Sequence, residues 1–260
     1  MNEIKLGCQL YTLRDYIQNY EDCEETFSYL NSIGIKDVQI SAIGPIPADK
    51  VAYLLKKYDL NVCVTHISFD RMLNELDVVM TEHKLYNCDT IGIGMMPDRY
   101  RKDEKSVFEF IKDSSKVAHK LAENGFRFAY HNHSFEFFRL SDGKTIYDHL
   151  IEDTNPDEYT FIPDTYWYQY SGISPEEALR KVKGRAKVVH FKDYKVDFEG
   201  KPTFAEIGNG NINWDNLYKV CKEIDAQYIM IEQDKCNIDP RESMAISFKN
   251  LCEIASRNNQ

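Results

Sequence analysis

The stretch Phe126-Arg127-Phe128-Ala129-Tyr130-His131-Asn132-His133-Ser134-Phe135-Glu136-Phe137 decides how this chain is read. It begins as an apolar, aromatic run suited to a buried strand. It ends in two histidines and a carboxylate, groups that are costly to bury without partners or a metal. Three later segments share the design. Phe161-Ile162-Pro163-Asp164 delivers an acid, Lys187-Val188-Val189-His190 an imidazole, and Tyr228-Ile229-Met230-Ile231-Glu232 a second carboxylate. Four strands, each ending in a metal-type ligand, organise the rest of the chain.

Outward from these strands the pattern repeats. Short apolar runs at 6–12, 37–40, 61–66 and 90–94 read as strands, the third ending in His66. Between them lie helical patterns over about 21–33, 47–58, 70–85 and 105–123, several closed by Gly or opened by Pro. The second half adds helices over about 145–152 and from Ser174, Asn213 and Asp239, where Ser-Pro-Glu-Glu and Asp-Pro-Arg-Glu supply caps and first-turn prolines. Eight strands alternating with eight helices imply a parallel sheet. No linker or composition break divides the chain, so residues 1–260 read as a single domain. Eight units in roughly 250 residues is the size of a (β/α)8 TIM barrel. The rival, a doubly wound open sheet, lacks its GxGxxG or Walker loop here. Polar residues instead recur at the C-terminal ends of strands all round the order, the face where barrel enzymes collect their chemistry.

Composition narrows the partners. A net charge of −10 argues against nucleic-acid binding, which needs a Lys/Arg surplus. The seven cysteines are dispersed without a CxxC pair, so neither a thiolate zinc site nor a disulfide framework is indicated. The segment Met1-Asn2-Glu3-Ile4-Lys5 has no signal-peptide pattern, and no apolar run approaches the ~18 residues of a membrane span. The expectation is a soluble cytoplasmic protein, without membrane or nucleic-acid partners.

Asp164, His190 and Glu232, with one acceptor from the opening stretch, make a hard oxygen/nitrogen site for one divalent metal ion such as Mn²⁺, Mg²⁺, Co²⁺ or Zn²⁺. A lone histidine or aspartate at a strand end is ordinarily structural; four such groups at the same end of consecutive strands are hard to explain as caps. Lys192 and Asp193 either pair on the rim or leave Lys192 for a substrate oxygen. Trp167, Tyr166, Tyr168 and Tyr11 are candidate sugar-stacking faces or simple rim packing, Trp167 being the best placed. His66 is a further site candidate, whereas His83, His119 and His149 fall on helical patterns and read as surface residues. Gly208-Asn209-Gly210 reads as a tight turn.

At these residues the chain resembles the sugar phosphate isomerase/epimerase superfamily, xylose isomerase-like barrels that also include family 2 AP endonucleases. The resemblance runs through Gln9-Leu10-Tyr11-Thr12-Leu13-Arg14-Asp15, Tyr130 to Phe137, Asp164-Thr165-Tyr166-Trp167, His190-Phe191-Lys192-Asp193, Gly208-Asn209-Gly210 and Ile231-Glu232-Gln233-Asp234. It implies a divalent metal, Mn²⁺ foremost, held by Glu, Asp, His and Glu from strands five to eight. Asp164, His190 and Glu232 match the last three. On the fifth strand this chain has Tyr130-His131 where the family carries its glutamate, so either Glu136 turns back to the metal or His131 takes the place. Glu136 is preferred because a carboxylate neutralises cation charge better. The family's GEG turn reads Gly208-Asn209-Gly210 here.

The expected activity is a metal-dependent isomerisation or epimerisation of a small carbohydrate. A base removes the proton α to a polarised carbonyl, giving an enediolate. Glu232, His133 and His131 are the acid/base candidates, Lys192 serves the developing oxyanion, and His66, Trp167, Tyr11 and Asn132 contact substrate. A lyase or dehydratase sharing the deprotonation is the alternative. A phosphodiesterase on abasic DNA and a non-catalytic sugar-binding barrel rank lower. Such barrels often pair, so a homo-oligomer is compatible with the chain.

Overall fold

The computed structural model describes residues 3–259. Eight parallel strands form the barrel: β1 (Lys5–Gln9), β2 (Asp37–Ile40), β3 (Asn61–His66), β4 (Thr90–Ile93), β5 (Arg127–His131), β6 (Tyr159–Ile162), β7 (Val188–Phe191) and, after a hairpin of β8 (Asp193–Val196) and β9 (Pro202–Ala205), β10 (Tyr228–Ile231). Each strand pairs with the next from β1 to β6, and β10 lies between β1 and β7. Helices cover the outside: α1 (Tyr20–Ser32), α2 (Ala48–Lys57), α3 (Phe69–Asn74), α4 (Leu76–Leu85), α5 (Glu104–Glu123), α6 (Ile146–Glu152), α7 (Thr165–Tyr170), α8 (Pro175–Lys181), α9 (Trp214–Glu223) and α10 (Pro240–Asn258). The architecture is the expected TIM barrel, nearly closed.

The sequence explains most of these elements locally. Asp103 and Ser106 form a reciprocal cap at the start of α5, and Thr145 with Asp148 does the same for α6. Strands β2, β4 and β6 are buried throughout their length, as a sheet covered by helices on one side and packed inside on the other requires. Within the barrel, Cys63, Val64, Ala129, Ile162, Val188 and Met230 form an inner apolar cluster. It underlies the polar mouth at the strands' C-terminal ends.

Several boundaries differ from the sequence reading. β1 stops at Gln9, and residues Leu10–Tyr16 turn into a 3₁₀ segment in which the Gln9 side chain accepts from Tyr11 N–H. The helix expected over 70–85 breaks at Glu75, which leaves helical geometry at φ −135° between α3 and α4. α7 follows Asp164 directly, capped by it. The hairpin β8–β9, two strands of four residues each, was not foreseen, although Asp193-Tyr194-Lys195-Val196 alternates polar and apolar residues. No helix of the described residues is long and apolar enough to cross a membrane.

The seam between β6 and β7 is where the barrel comes together. His190 N–H donates to the Pro163 carbonyl at 2.8 Å, Phe161 N–H to the Arg185 carbonyl at 2.7 Å, and Asp164 and His190 form an isolated parallel bridge. Below the seam the buried Arg185 guanidinium donates to the Tyr159 carbonyl (3.1 and 3.0 Å), the Ile151 carbonyl (2.6 Å) and Thr154 Oγ1 (2.6 Å). Replacing it leaves buried carbonyls without donors. Arg185→Met is expected to cost roughly 3 kcal/mol and to lower the thermal midpoint by about 5–10 °C. A fall of less than about 1 kcal/mol, read by calorimetry, would show that the seam does not depend on this residue.

Candidate metal centre and active site

Four strands bring His131, Asp164, His190 and Glu232 to one buried point, with one donor atom from each lying within 4.8 Å of the others. His131 Nε2 is 3.2 Å from Asp164 Oδ2 and 3.8 Å from Glu232 Oε2; His190 Nδ1 is 2.9 Å from Glu232 Oε2 and 3.9 Å from Asp164 Oδ2. The opposite nitrogen of each ring is engaged. His131 Nδ1 lies 2.9 Å from the Gly94 carbonyl and His190 Nε2 lies 2.7 Å from Gln39 Oε1. Both partners are acceptors, as are the carboxylates that face the central nitrogens; with an ion at the centre the outer nitrogens would carry the protons and the central ones would turn lone pairs to it. This is the outer-shell arrangement that orients metal-binding imidazoles. Asp164 divides its oxygens: Oδ1 accepts from Tyr166 N–H and Trp167 N–H, while Oδ2 faces the centre.

Lys192 enters from the same side. Its ammonium lies 2.8 Å from Asp234 Oδ1, 3.2 Å from Glu232 Oε2 and 3.3 Å from Asp164 Oδ2. Burial alone would depress its pKa, but the three carboxylates outweigh burial and hold it well above the usual lysine range. Burial likewise opposes ionisation of Glu232, and Lys192 and His190 overcome it, keeping the carboxylate charged well below its ordinary range. Three carboxylates against one ammonium leave two negative charges when the imidazoles are neutral, the complement of a divalent cation.

Above the centre a cavity of about 270 Å³ is bounded by Tyr11, Ser41, His66, His133 and Asp234 among others. His66 Nδ1 accepts from the Gln9 amide at 3.3 Å, which leaves its Nε2 carrying the proton; that atom is buried without a partner. Burial, then the nearby His131 and His190, push His66 well below the ordinary histidine range. His133 stands against Trp167, ring centroids 5.0 Å apart, and its Nδ1 is also buried and unpartnered. Burial, then His131 and Lys192, lower its pKa to about 2. Trp167 Nε1 has no partner either, and the Lys192 ammonium lies 5.3 Å from the Trp167 ring centre.

Two expected site residues lie elsewhere. Glu136 is not among the central donors: its carboxylate accepts from the Tyr130 hydroxyl at 2.7 Å and from His133 N–H at 2.9 Å, fully buried. Strand alternation carries Tyr130 toward the helices, where its ring packs 5.7 Å from Phe110. The 3₁₀ turn Phe135–Phe137 brings Glu136 back to that outer face, not over the mouth. His131 stands at the fifth-strand position instead. Asn132 does not line the cavity: it accepts from Asp164 N–H at 3.0 Å and fastens β5 to the end of β6.

The rim pair of Lys192 and Asp193, one of the two alternatives, does not form, because their side chains point to different partners. Asp193 Oδ2 accepts from Gly208 N–H, Gly210 N–H and Trp214 Nε1–H at 2.9, 3.0 and 2.9 Å. Gly208 adopts φ +87°, and a Cβ at Gly210 would lie 2.3 Å from Asp193 Oδ1, which accounts for both glycines of the turn. His83 and His149 are buried, not on the surface. Thr65 and the Val79 carbonyl satisfy His83, and Asp142 and Asp153 satisfy His149; His119 is exposed. The sequence reading missed Gln9, Gln39 and Asp234, whose roles depend on contacts between distant strands. The one local signal was a buried-type amide ending β1 and lying within β2.

The residues present fit a divalent ion: two imidazole nitrogens and two carboxylates, balanced in charge and buried. His131→Ala is expected to weaken Mn²⁺ affinity strongly, and Gln39→Ala by about 10–100-fold through the loosened His190 ring. Glu136→Gln should bind Mn²⁺ nearly as the parent does, by titration calorimetry. The reverse ranking would return the ligand role to Glu136. Burial, only partly offset by Tyr130, raises the Glu136 pKa to about 7. Its folded value exceeds the unfolded one, so the contribution is present below about pH 4.5 and lost as pH rises through about 7. Metal-free parent protein should therefore lose up to about 3 kcal/mol relative to Glu136→Gln between acidic and alkaline buffer. Parallel stability curves for the two proteins would contradict this.

Residues 27–253 match the family described as xylose isomerase-like TIM barrel. Two curated relatives are inosose dehydratases. That of Clostridium botulinum (strain Alaska E43 / Type E3) is 26% identical over 152 residues, covering 53% of this chain and 50% of the relative. That of Clostridium tetani (strain Massachusetts / E88) is 27% identical over 177 residues, covering 59% and 58%. The chain thus spans between half and three fifths of the length of these relatives. A sugar phosphate isomerase/epimerase from Parabacteroides distasonis ATCC 8503 superposes with a TM-score of 0.80 at 18% identity, covering 96% of this chain and 98% of the other, a likeness of fold. With the family matched across most of its length and the barrel built as that family requires, this chain belongs to the xylose isomerase-like TIM barrels.

Proposed function

We propose that this protein is a metal-dependent sugar isomerase or epimerase that removes a proton α to a carbonyl. The observation that carries the reading is a neutral, unpartnered imidazole nitrogen, His133 Nδ1, buried at the cavity wall beside the four-donor cluster. A divalent ion held by His131, Asp164, His190 and Glu232 would supply Lewis acidity, stabilising negative charge on substrate oxygens. Mn²⁺ suits the mixed nitrogen and oxygen donors, as do Mg²⁺, Co²⁺ and Zn²⁺.

The chain's own residues divide the remaining work. His133 accepts the α proton at Nδ1. Burial and neighbouring positive charge keep it neutral beforehand, and the enolate charge forming beside it stabilises the resulting imidazolium. The same proton then passes to the neighbouring carbon in an isomerisation; in an epimerisation a water on the opposite face protonates the same carbon and His133 releases its proton to the resulting hydroxide. His66 donates Nε2–H to a substrate oxygen as a neutral imidazole, its tautomer set by Gln9. Glu232, held ionised, is a ligand and not a proton carrier. Lys192 keeps Asp164, Glu232 and Asp234 together and offers positive charge to the developing oxyanion. Trp167 and Tyr11 provide aromatic walls.

A second reading, a dehydratase, is favoured by the sequence match to two inosose dehydratases. It shares the abstraction by His133, after which the β hydroxyl leaves as water with the proton that His133 took, restoring the neutral imidazole. The net charge of −10 gives a phosphodiesterase on DNA no electrostatic footing.

His133→Asn is expected to retain Mn²⁺ affinity while exchange of the α proton, followed by NMR in deuterated buffer, falls by about 10²–10⁴-fold. Exchange at the parent rate would remove His133 from the role of base. In the same experiment a retained ketose supports the isomerase or epimerase. Appearance of a conjugated enone, seen by its ultraviolet absorbance, would assign the dehydratase.

A further inference from the structure

The charges and hydrogen-bond donors of the mouth bear on what kind of sugar enters it. We infer that the cavity takes an uncharged polyhydroxy ketone, an open or cyclic keto sugar, and not a phosphorylated one; this rests on the α-proton reading above. In barrels of this type phosphate is commonly held by the loops after the seventh and eighth strands, on backbone N–H groups. Here the loop after the seventh barrel strand is filled from within. Asp193 Oδ2 takes Gly208 N–H, Gly210 N–H and the Trp214 indole N–H. Asp164 Oδ1 takes the first free N–H groups of α7, and Glu136 takes His133 N–H. At each of these places a carboxylate of the chain already stands where an anionic substrate group would bind.

Side-chain cations are equally committed. Among the described residues, Lys192 is the one cationic side chain lining the cavity, and three carboxylates lie within 3.3 Å of its ammonium. Arg14, near the rim, donates to the Tyr11 and Asp234 carbonyls at 2.9 and 3.0 Å and stacks on the Tyr11 ring. Arg101 is paired with Asp98 and lies over Phe135. A phosphate dianion would enter next to Asp164, Glu232 and Asp234 with no cation left to meet it, since a divalent ion only cancels the two negative charges already present.

What the mouth leaves free is neutral. Gln39 Nε2, His66 Nε2, His133 Nδ1 and Trp167 Nε1 are buried polar atoms without partners. Buried polar groups are normally satisfied. Two of these free atoms belong to His66 and His133, which line the cavity of about 270 Å³; a neutral donor and a neutral acceptor there suit the hydroxyl and carbonyl oxygens of a single sugar ring.

Titration calorimetry on the Mn²⁺-loaded protein tests this with matched pairs: D-fructose and D-tagatose, a keto-inositol, the 6-phosphate esters of the two ketohexoses, and inorganic phosphate alone. The expected result is that at least one neutral ketone binds about tenfold or more tightly than any ester, and that millimolar inorganic phosphate does not compete. Equal or tighter binding of an ester, competition by inorganic phosphate, or no binding of any neutral member would overturn the inference. Exchange of the α proton on the same samples separates the two claims. A neutral sugar that binds without exchanging upholds the substrate class and counts against the enolising reaction.

Discussion

The structure depends on balancing charge where four strands end. Three carboxylates and an ammonium are withdrawn from water at the C-terminal face, and none would be tolerable there alone. Lys192 offsets Asp164, Glu232 and Asp234, yet two negative charges remain. Either protonation or a cation must answer them. The two central histidines are set up to admit a cation. Each holds its outer nitrogen on a fixed acceptor, the Gly94 carbonyl or Gln39, so that the inner nitrogen, which faces Asp164 or Glu232, would be free to turn a lone pair to an ion.

That balance ties the chemistry to closure of the barrel. The last pairing, between β6 and β7, is made at Asp164 and His190, two of the four central donors. Thr165 reinforces it: its hydroxyl accepts from Lys192 N–H at 3.0 Å and lies 3.2 Å from the His190 carbonyl. Asn132 fastens Asp164 from the other side. Strand register, donor geometry and the position of Lys192 are therefore one problem with one solution. Below it the apolar layer of Val64, Ala129, Ile162 and Met230 excludes water from the centre's underside, so substrate approaches only from the mouth.

The barrel was readable because each strand is an apolar run of four to six residues followed by polar chemistry, a rhythm that only tertiary packing could otherwise disguise. Asp164, His190 and Glu232 stood out for the same reason: each ends such a run. Glu136 lies apart from the central donors because alternation fixes directions only while the strand lasts. Beyond His131 a 3₁₀ turn redirects the chain, and the Tyr130 hydroxyl offers the carboxylate a partner on the outer face. His83 looked like a surface residue of a helix, yet a threonine of β3 and a backbone carbonyl satisfy it in the interior. Asp234 carried no local mark and Gln39 only a buried-type amide inside β2, since their importance lies in what reaches them from other strands. Sequence spacing records which face a side chain takes; it does not record who waits there.

His133 and His66 present free polar atoms to the cavity, beside a centre whose own groups are fully engaged. The account stands on the centre being a metal site built by His131 in place of a glutamate. Crystals grown with Mn²⁺ and measured across its absorption edge test this most directly. The account predicts one anomalous peak with His131 Nε2, Asp164 Oδ2, His190 Nδ1 and a Glu232 oxygen each about 2.0–2.4 Å away, and Glu136 still on Tyr130. A peak bound by Glu136 with His131 turned aside, or no peak at this centre in protein saturated with Mn²⁺, would contradict it.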